Sequence, residues 1–390
     1  MKLPQLSLAL IAVCGWFVNS ASTLAQGSLI PPGPPGPTMK TLAQIEPRTP
    51  IGSLPFQITA PGSYYLTTNL TGGQGISISA SDVTLDLMGF VLAGATQATG
   101  GITISDGAQN VAVRDGTIRN WSVGVAATNA AECRFDDLRV SNNGAGLIAG
   151  ASCAVNRCQF QSNTGIGVSL ASDGTLNDCA ARGNSIHGIV TGDRSRLTHC
   201  VSSYNLGSGY SCGGSCEFSD CAAISNGLNG IVAGANADLN KCLASANVQD
   251  GIAAGGESKV DDCRSRGNVG SGIRVGNGST VSNCAALGNA GDGILATSQC
   301  TITGDQCNNN FNARDAAGIH VTGVDNCIKD NHVAANDRGV SVDAAGNLLI
   351  RNTAANSTIN YFSSGAATLG PIFSGVPTDQ VSNPWMNFDY

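Results

Sequence analysis

The stretch IRVGNGSTVSNCAALGNAGDG, residues 273–293, is one unit of a pattern that fills the middle of the chain. Units of the same 21 residues begin at Leu147, Val168, Ile189, Tyr210, Ile231, Ile252 and Ile273, and close with Gly167, Gly188, Gly209, Gly230, Gly251, Gly272 and Gly293. Position 9 of each unit is apolar: Val155, Leu176, Leu197, Phe218, Leu239, Val260 and Val281. Position 12 is always cysteine: Cys158, Cys179, Cys200, Cys221, Cys242, Cys263 and Cys284. Position 17 is always asparagine: Asn163, Asn184, Asn205, Asn226, Asn247, Asn268 and Asn289, with Asn120 and Asn142 read as its upstream and Asn356 as its downstream continuation.

Apolar or small residues at 1 and 3, 7 and 9, and 12 and 14 alternate as side chains do along short strands. The alternation breaks between 9 and 12, which marks a corner. Gly, Asn and Ser at 4–6 and 15–20 supply two more. Three short strands and three corners per turn, each turn stacked in register on the last, predict an all-β parallel solenoid. No segment holds a 3.6-residue period, so helical repeats are excluded.

In such a stack equivalent residues lie ~4.8 Å apart in columns along the axis. The cysteine column is then a row of interior thiols, and β-carbons ~4.8 Å apart sit beyond the usual ~3.5–4.5 Å of a disulfide, so free packing thiols are expected. The asparagine column is expected in a turn, in left-handed backbone geometry, with side-chain amides bonding to the Asn above and below.

The Gly-Ile-x-Val, Val-x-x-Cys and Asn-x-x-x-Gly signature, from about residue 75 to 360, resembles the right-handed parallel β-helix repeats of pectate lyases, polygalacturonases, alginate lyases and epimerases. The flanks PGPTMKTLAQIEPRTPI (35–51), PGSYYLTTNL (61–70) and NPWMNFDY (383–390) resemble an uncharacterised family of exported bacterial β-helix repeat proteins. The resemblance implies a right-handed β-helix of about 21 residues per rung, capped at both ends. The expected organisation is a signal peptide at 1–25, a Pro-rich linker at 26–50, an N-terminal cap with the first strands at 51–92, rungs at 93–360 and a C-terminal cap at 361–390.

Lys2, the apolar run Leu6–Val18 and the small residues before a cleavage point after Ala25 make up that signal peptide, which is too short to span a bilayer. Its removal takes away only Lys2 and moves the formal charge from −7 to −8. This acidic balance argues against nucleic acid. No later apolar run is long enough for a membrane span, so the expected location is secreted, extracellular or at the cell surface.

Position 11, outward at a corner, reads Arg114, Asp136, Arg157, Asp178, His199, Asp220, Lys241, Asp262 and Asn283. Alternating signs at one-rung spacing favour stacking without any function. The same column offers a candidate catalytic cluster, Asp178, His199 and Asp220, in which two carboxylates would raise the His pKa toward acid–base work. Beside it Lys241, Asp262, Arg264 and Arg266 are candidate ligands for an acidic polysaccharide.

The motifs of the related enzymes do not carry over. The Tyr-Gly-Phe-Asp-Pro-His motif of alginate epimerases is absent, and His187-Gly188 and Asp261-Asp262 match polygalacturonase motifs in the wrong context and order. Cys212 and Cys216 span one corner and could close a small disulfide; no metal site is expected there, since no nearby His supplements them. The rung from 294 to 318 is four residues longer than its neighbours, with GDQCNNNFNARD (304–315) read as a projecting loop. The expectation is a scaffold or carbohydrate-binding surface protein whose partner is a polysaccharide or cell-surface glycan, without a cofactor. The alternative is a polysaccharide lyase or epimerase acting on acidic polysaccharide, for which Ca2+ is the implied cofactor.

Overall fold

The computed structural model describes residues 45–96, 98–311, 315–364, 367–374 and 383–389. The expected signal peptide and residues 26–44 of the linker lie outside them. From Arg48 onward every named element is a β-strand, and every strand pairing is parallel. One rung shows the plan. Val168–Leu170 lies on face one, Thr175–Asn177 on face two and Ala180–Arg182 on face three, with a corner between each. Face one is a sheet of 15 strands. Faces two and three form one hydrogen-bonded sheet of 30 strands, because Val111–Arg119 and Arg134–Ser141 run through the corner between them without a break.

The register is the 21-residue repeat itself: Leu176 sits opposite Leu197, Phe218 opposite Leu239, and Ile252 opposite Ile273. Positions 1, 3 and 9 point inward and are buried, which gives one continuous apolar core along the axis. The closing glycine is set by space. A Cβ on Gly230 would come within 2.5 Å of the Gly251 carbonyl oxygen and 2.7 Å of Asn247 Nδ2.

Each corner turns on a single residue in the left-handed region. In successive rungs these are Asp173, Asp178 and Gly183, then Arg194, His199 and Tyr204, with φ between 51° and 65°. Such geometry costs a non-glycine residue roughly 1–2 kcal/mol, so something must hold it. At most corners the residue that follows does so by pointing inward and hydrogen-bonding to a neighbouring rung. Asn205 Oδ1 accepts from the backbone N–H of Asn184 at 3.0 Å and from its Nδ2 at 2.9 Å, while Asn184 Nδ2 also donates to the Phe160 carbonyl at 3.2 Å. The cysteines follow the same scheme more weakly: Cys263 N–H donates to Cys284 Sγ at 3.4 Å, and Cys284 Sγ donates to the Val260 carbonyl at 3.5 Å. All seven are free and buried. Burial pushes the Cys158 thiol up to about 12.

The asparagine column therefore differs from its sequence reading in one respect. Its amides do bond to the neighbours along the axis, but the left-handed residue is the one before each Asn. Asn120, Asn142 and Asn356 carry φ of 63°, 56° and 53° and are such corner residues. Trp121, Asn143 and Ser357 come next in the chain and take the place after the corner, so these three column assignments shift by one residue. The corner charges upstream shift likewise. Asp115 and Asp137, with φ of 56° and 55°, precede Arg157 in the column, in place of Arg114 and Asp136.

Stacking already begins at Thr49–Ile51, at the end of the segment read as the linker, which pairs with Tyr64–Leu66, and continues through the segment read as the N-terminal cap, where Phe56–Ile58 pairs with Ile76–Ile78. At the other end Asn387–Asp389 pairs with both Thr353–Ala355 and Ile372–Ser374. In the long rung, Gln306–Asn308 is a regular face-three strand. Its extra residues fall between Asn309 and Ala317, a narrower insertion than 304–315.

Candidate functional site

The structure brings Asp178, His199 and Asp220 onto one corner, but loosely. His199 Nδ1 is 3.8 Å from Asp178 Oδ1, and Nε2 is 3.9 Å from Asp220 Oδ2, with all three side chains about half exposed. Lys241 and Asp262 continue the same corner column, and Arg264 and Arg266 point outward from face three beside it. Asp262 and Arg264 edge a hollow of about 280 Å³. The alternating signs act as ion pairs elsewhere on this corner, where Arg157 binds Asp137 through two nitrogens at 2.7 and 2.8 Å and Arg351 binds Asp330 at 2.6 and 2.7 Å. Cys212 and Cys216 are joined as a disulfide. His187, which mimics a polygalacturonase motif, accepts a backbone hydrogen bond from Ser208 through Nδ1 at 3.0 Å.

A tighter cluster lies on face one, at the long rung, where periodic reading does not look. His320 stands between two carboxylates, its Nδ1 3.0 Å from Asp292 Oδ2 and its Nε2 3.0 Å from Asp343 Oδ2. The imidazole is only 21% exposed and Asp292 14%. Burial alone would lower the histidine's pKa, and the hydrogen bonds and charges of Asp292 and Asp343 outweigh it, so the pKa is raised. Asp292 is fixed by the N–H of Ala317, which donates to its Oδ1 at 2.7 Å.

In register with His320 on the next rung is Ser341, fully buried, whose Oγ has no hydrogen-bond partner. Arg338, on the same strand, pairs with Asp315 at 3.1 Å and lies 3.9 Å over the ring of Phe362. Beside it opens a hollow of about 320 Å³ lined by Phe311, Asp315, Asp337, Arg338, Thr358 and Ile359. Two rungs back on the same face Arg274 pairs with Asp250 at 2.6 Å. Asp292 and His320 repeat the placement of Asp250 and Arg274, but the extra residues of the long rung lengthen the step between them, and Asp343 stands at another position of its rung, so no single column holds the cluster. A third hollow, of about 220 Å³ over the first rungs, is lined by Phe56, Gln57, Ser77 and Thr103 among others and has no titratable side chain in its wall.

Two overlapping segments, residues 68–202 and 100–247, match the family described as right handed beta helix region. The chain is a right-handed parallel β-helix. Among solved structures, the A-module of the mannuronan C-5 epimerase AlgE4 of Azotobacter vinelandii is 16% identical over 72% of this chain and 88% of that one, with a TM-score of 0.53. The AlgE6 A-module of the same organism is 16% identical over 84% and 90%, with a TM-score of 0.47. The Dettilon tailspike protein gp208 is 14% identical over 78% and 61%, with a TM-score of 0.41. At these identities the likeness is one of fold. No curated protein matches the sequence. No helix of the described residues is long and apolar enough to cross a membrane.

Proposed function

We propose that the protein is exported and binds polysaccharide or a cell-surface glycan, with the face-one cluster at the long rung as the contact. The observation that carries this reading is His320 held between Asp292 and Asp343. Carboxylates accept hydrogen bonds from sugar hydroxyls, and a protonated imidazole and a guanidinium donate them. Phe311 adds apolar surface to the hollow beside Arg338, as ligand sites commonly do. The fold supports the reading through the AlgE4 module, a structure whose name is that of an enzyme acting on mannuronan. Export rests on the apolar, singly charged segment 1–25.

A second reading is favoured by the same histidine. A partly buried imidazole with a raised pKa between two carboxylates is suited to proton transfer, so a lyase or epimerase acting on acidic polysaccharide would use His320 rather than His199. Ca2+, implied only by the lyase reading, finds no group of three or more His, Cys, Asp or Glu side chains placed to hold a metal among the described residues. No step is routed through it.

Titration calorimetry with a panel of acidic and neutral oligosaccharides tests the binding reading. His320→Ala and Asp343→Ala are expected to weaken binding about tenfold or more, which corresponds to ~1.4 kcal/mol. Arg264→Ala with Arg266→Ala should leave it unchanged. The reverse pattern moves the site to the opposite corner, and a wild-type protein that binds no member of the panel contradicts the reading. Ultraviolet absorbance and proton NMR of the same mixtures detect lyase and epimerase products; turnover lost in His320→Ala would establish the second reading.

A further inference from the structure

Four buried side-chain oxygens among the described residues have no hydrogen-bond partner: Thr297 Oγ1, Asp305 Oδ2, Asn308 Oδ1 and Ser341 Oγ. Three belong to the long rung and the fourth to Arg338–Val342, which stacks on Ala317–Val321, the face-one strand that follows it. The polar mismatch of the interior is thus gathered at the long rung and the strands that follow it, beside the face-one cluster.

Asp305 is its centre. It occupies the place after the corner that Cys284 fills one rung before and Asn331 and Asn352 fill in the two rungs after. Its Oδ1 accepts from the Cys284 N–H at 2.7 Å, as the scheme requires. At the donor place, Asn331 Nδ2 and Asn352 Nδ2 give hydrogen bonds to the carbonyls of Ile302 and Ile328 at 3.0 and 2.9 Å. Asp305 has an oxygen there, buried and without a partner, and the step that links Cys284 Sγ to Val260 points to the Val281 carbonyl as the group opposite. Acceptor faces acceptor unless Oδ2 carries a proton.

We propose that the long rung and the strand after it form an acid-set joint: a proton on Asp305 inside the rod and a proton on His320 outside it lock residues 294–321 to the rungs on either side, and their loss loosens this segment and weakens glycan binding. The effect on glycan rests on the function proposed above; the joint itself does not. The titratable groups facing Asp305 are the thiols of Cys284 and Cys307 and, from two rungs back, the carboxylate of Asp261, none of which brings a positive charge. Burial raises Asp305 to about 7. His320 faces Asp292 and Asp343, while the nearby cations Arg338 and Arg274 are paired with Asp315 and Asp250.

Both groups hold their protons more tightly in the folded chain than in the unfolded one. Their stabilisation is complete below the unfolded values, about 3.9 for Asp and 6.5 for His, and is lost as pH rises through the folded ones. The Asp305 window is therefore about pH 4 to 7, and the His320 window begins near 6.5.

Hydrogen exchange of the amides of residues 294–311 in the full chain, read as opening constants from pH 4 to 8, tests the joint. Relative to Asp305→Asn, whose amide supplies the donor at every pH, the wild-type rung is expected to open about tenfold more readily for each unit between pH 4 and 7. His320→Gln, which keeps the charge of Asp305, is expected to flatten the wild-type trend above pH 6.5. Parallel profiles for wild type and both variants would overturn the joint. Calorimetry at pH 5 and pH 8 with an oligosaccharide that binds tests the link to the site. Affinity that falls with pH in wild type and falls less in Asp305→Asn supports it, and affinity independent of pH alongside a confirmed joint overturns it. A protein that binds no oligosaccharide refutes the link together with the proposed function, and leaves the exchange result to decide the joint.

Discussion

At the scale of single residues, the fold depends on the side chain that stands just after each left-handed corner. Asn226 takes the N–H and Nδ2 of Asn205 on its Oδ1, and its own Nδ2 donates to Asn247 and to the Ser202 carbonyl. Asn226→Ala leaves the Asn205 N–H and the Ser202 carbonyl buried without these partners, at roughly 1–3 kcal/mol for each such group. A loss of about 3–5 kcal/mol is expected in denaturant unfolding. Cys242→Ser should cost no more than about 1 kcal/mol by the same measurement, because Ser258 and Ser279 already perform this role at another corner, Ser258 Oγ accepting from the Ala237 N–H at 3.1 Å and Ser279 Oγ from the Ser258 N–H at 3.1 Å. Equal losses in the two variants would contradict the hydrogen-bond scheme. The asparagines are legible as a column because one residue type recurs every 21 positions. Their role is not, because an Asn in a Gly-rich stretch signals both a left-handed turn and an interior ladder. The true corner residues include Arg157, His199, Tyr204, Lys241 and Ala246, a mixture with no shared chemistry to read.

At the scale of strands and rungs, repetition makes the architecture readable and irregularity hides the site. Asp178, His199 and Asp220 keep the 21-residue step, so sequence alone brings them together, and the structure leaves them on a solvated corner at 3.8 and 3.9 Å. Exposed pairs of this kind contribute about 0–1 kcal/mol. Asp292, His320 and Asp343 are separated by 28 and 23 residues; Asp292 and His320 stand where Asp250 and Arg274 stand two rungs earlier, but the four extra residues of the long rung lengthen the step between them and take the pair out of the 21-residue count. The thiol column belongs to this scale too. Its seven members are buried and free, whereas Cys327 is partly exposed. Alkylation of the native protein should therefore mark Cys327 first and the seven only after unfolding. Serial bridges between neighbours such as Cys158 and Cys179, found by mass spectrometry, would refute the packing account.

For the whole molecule, stability is shared between neighbours along the axis, since each rung buries its strands only against the rungs before and after it. The repeat sets out the parallel register and the interior columns, whereas the exact start of stacking at Thr49–Ile51 is blurred by the uneven steps between the first rungs, such as the 26 residues from Ile76 to Ile102. If the columns are what hold the rod together, removing a whole repeat should be tolerated and removing part of one should not. Deleting residues 168–188 places Leu147 on Ile189, Val155 on Leu197, Cys158 on Cys200 and Asn163 on Asn205, so every column is kept. Deleting only 168–177 shifts every column beyond it. Thermal melting of the two deletions beside the full chain, followed by circular dichroism, tests this most directly. The first should melt cooperatively within a few degrees of the parent and the second should lose its transition, whereas equal damage in both would contradict the in-register stack.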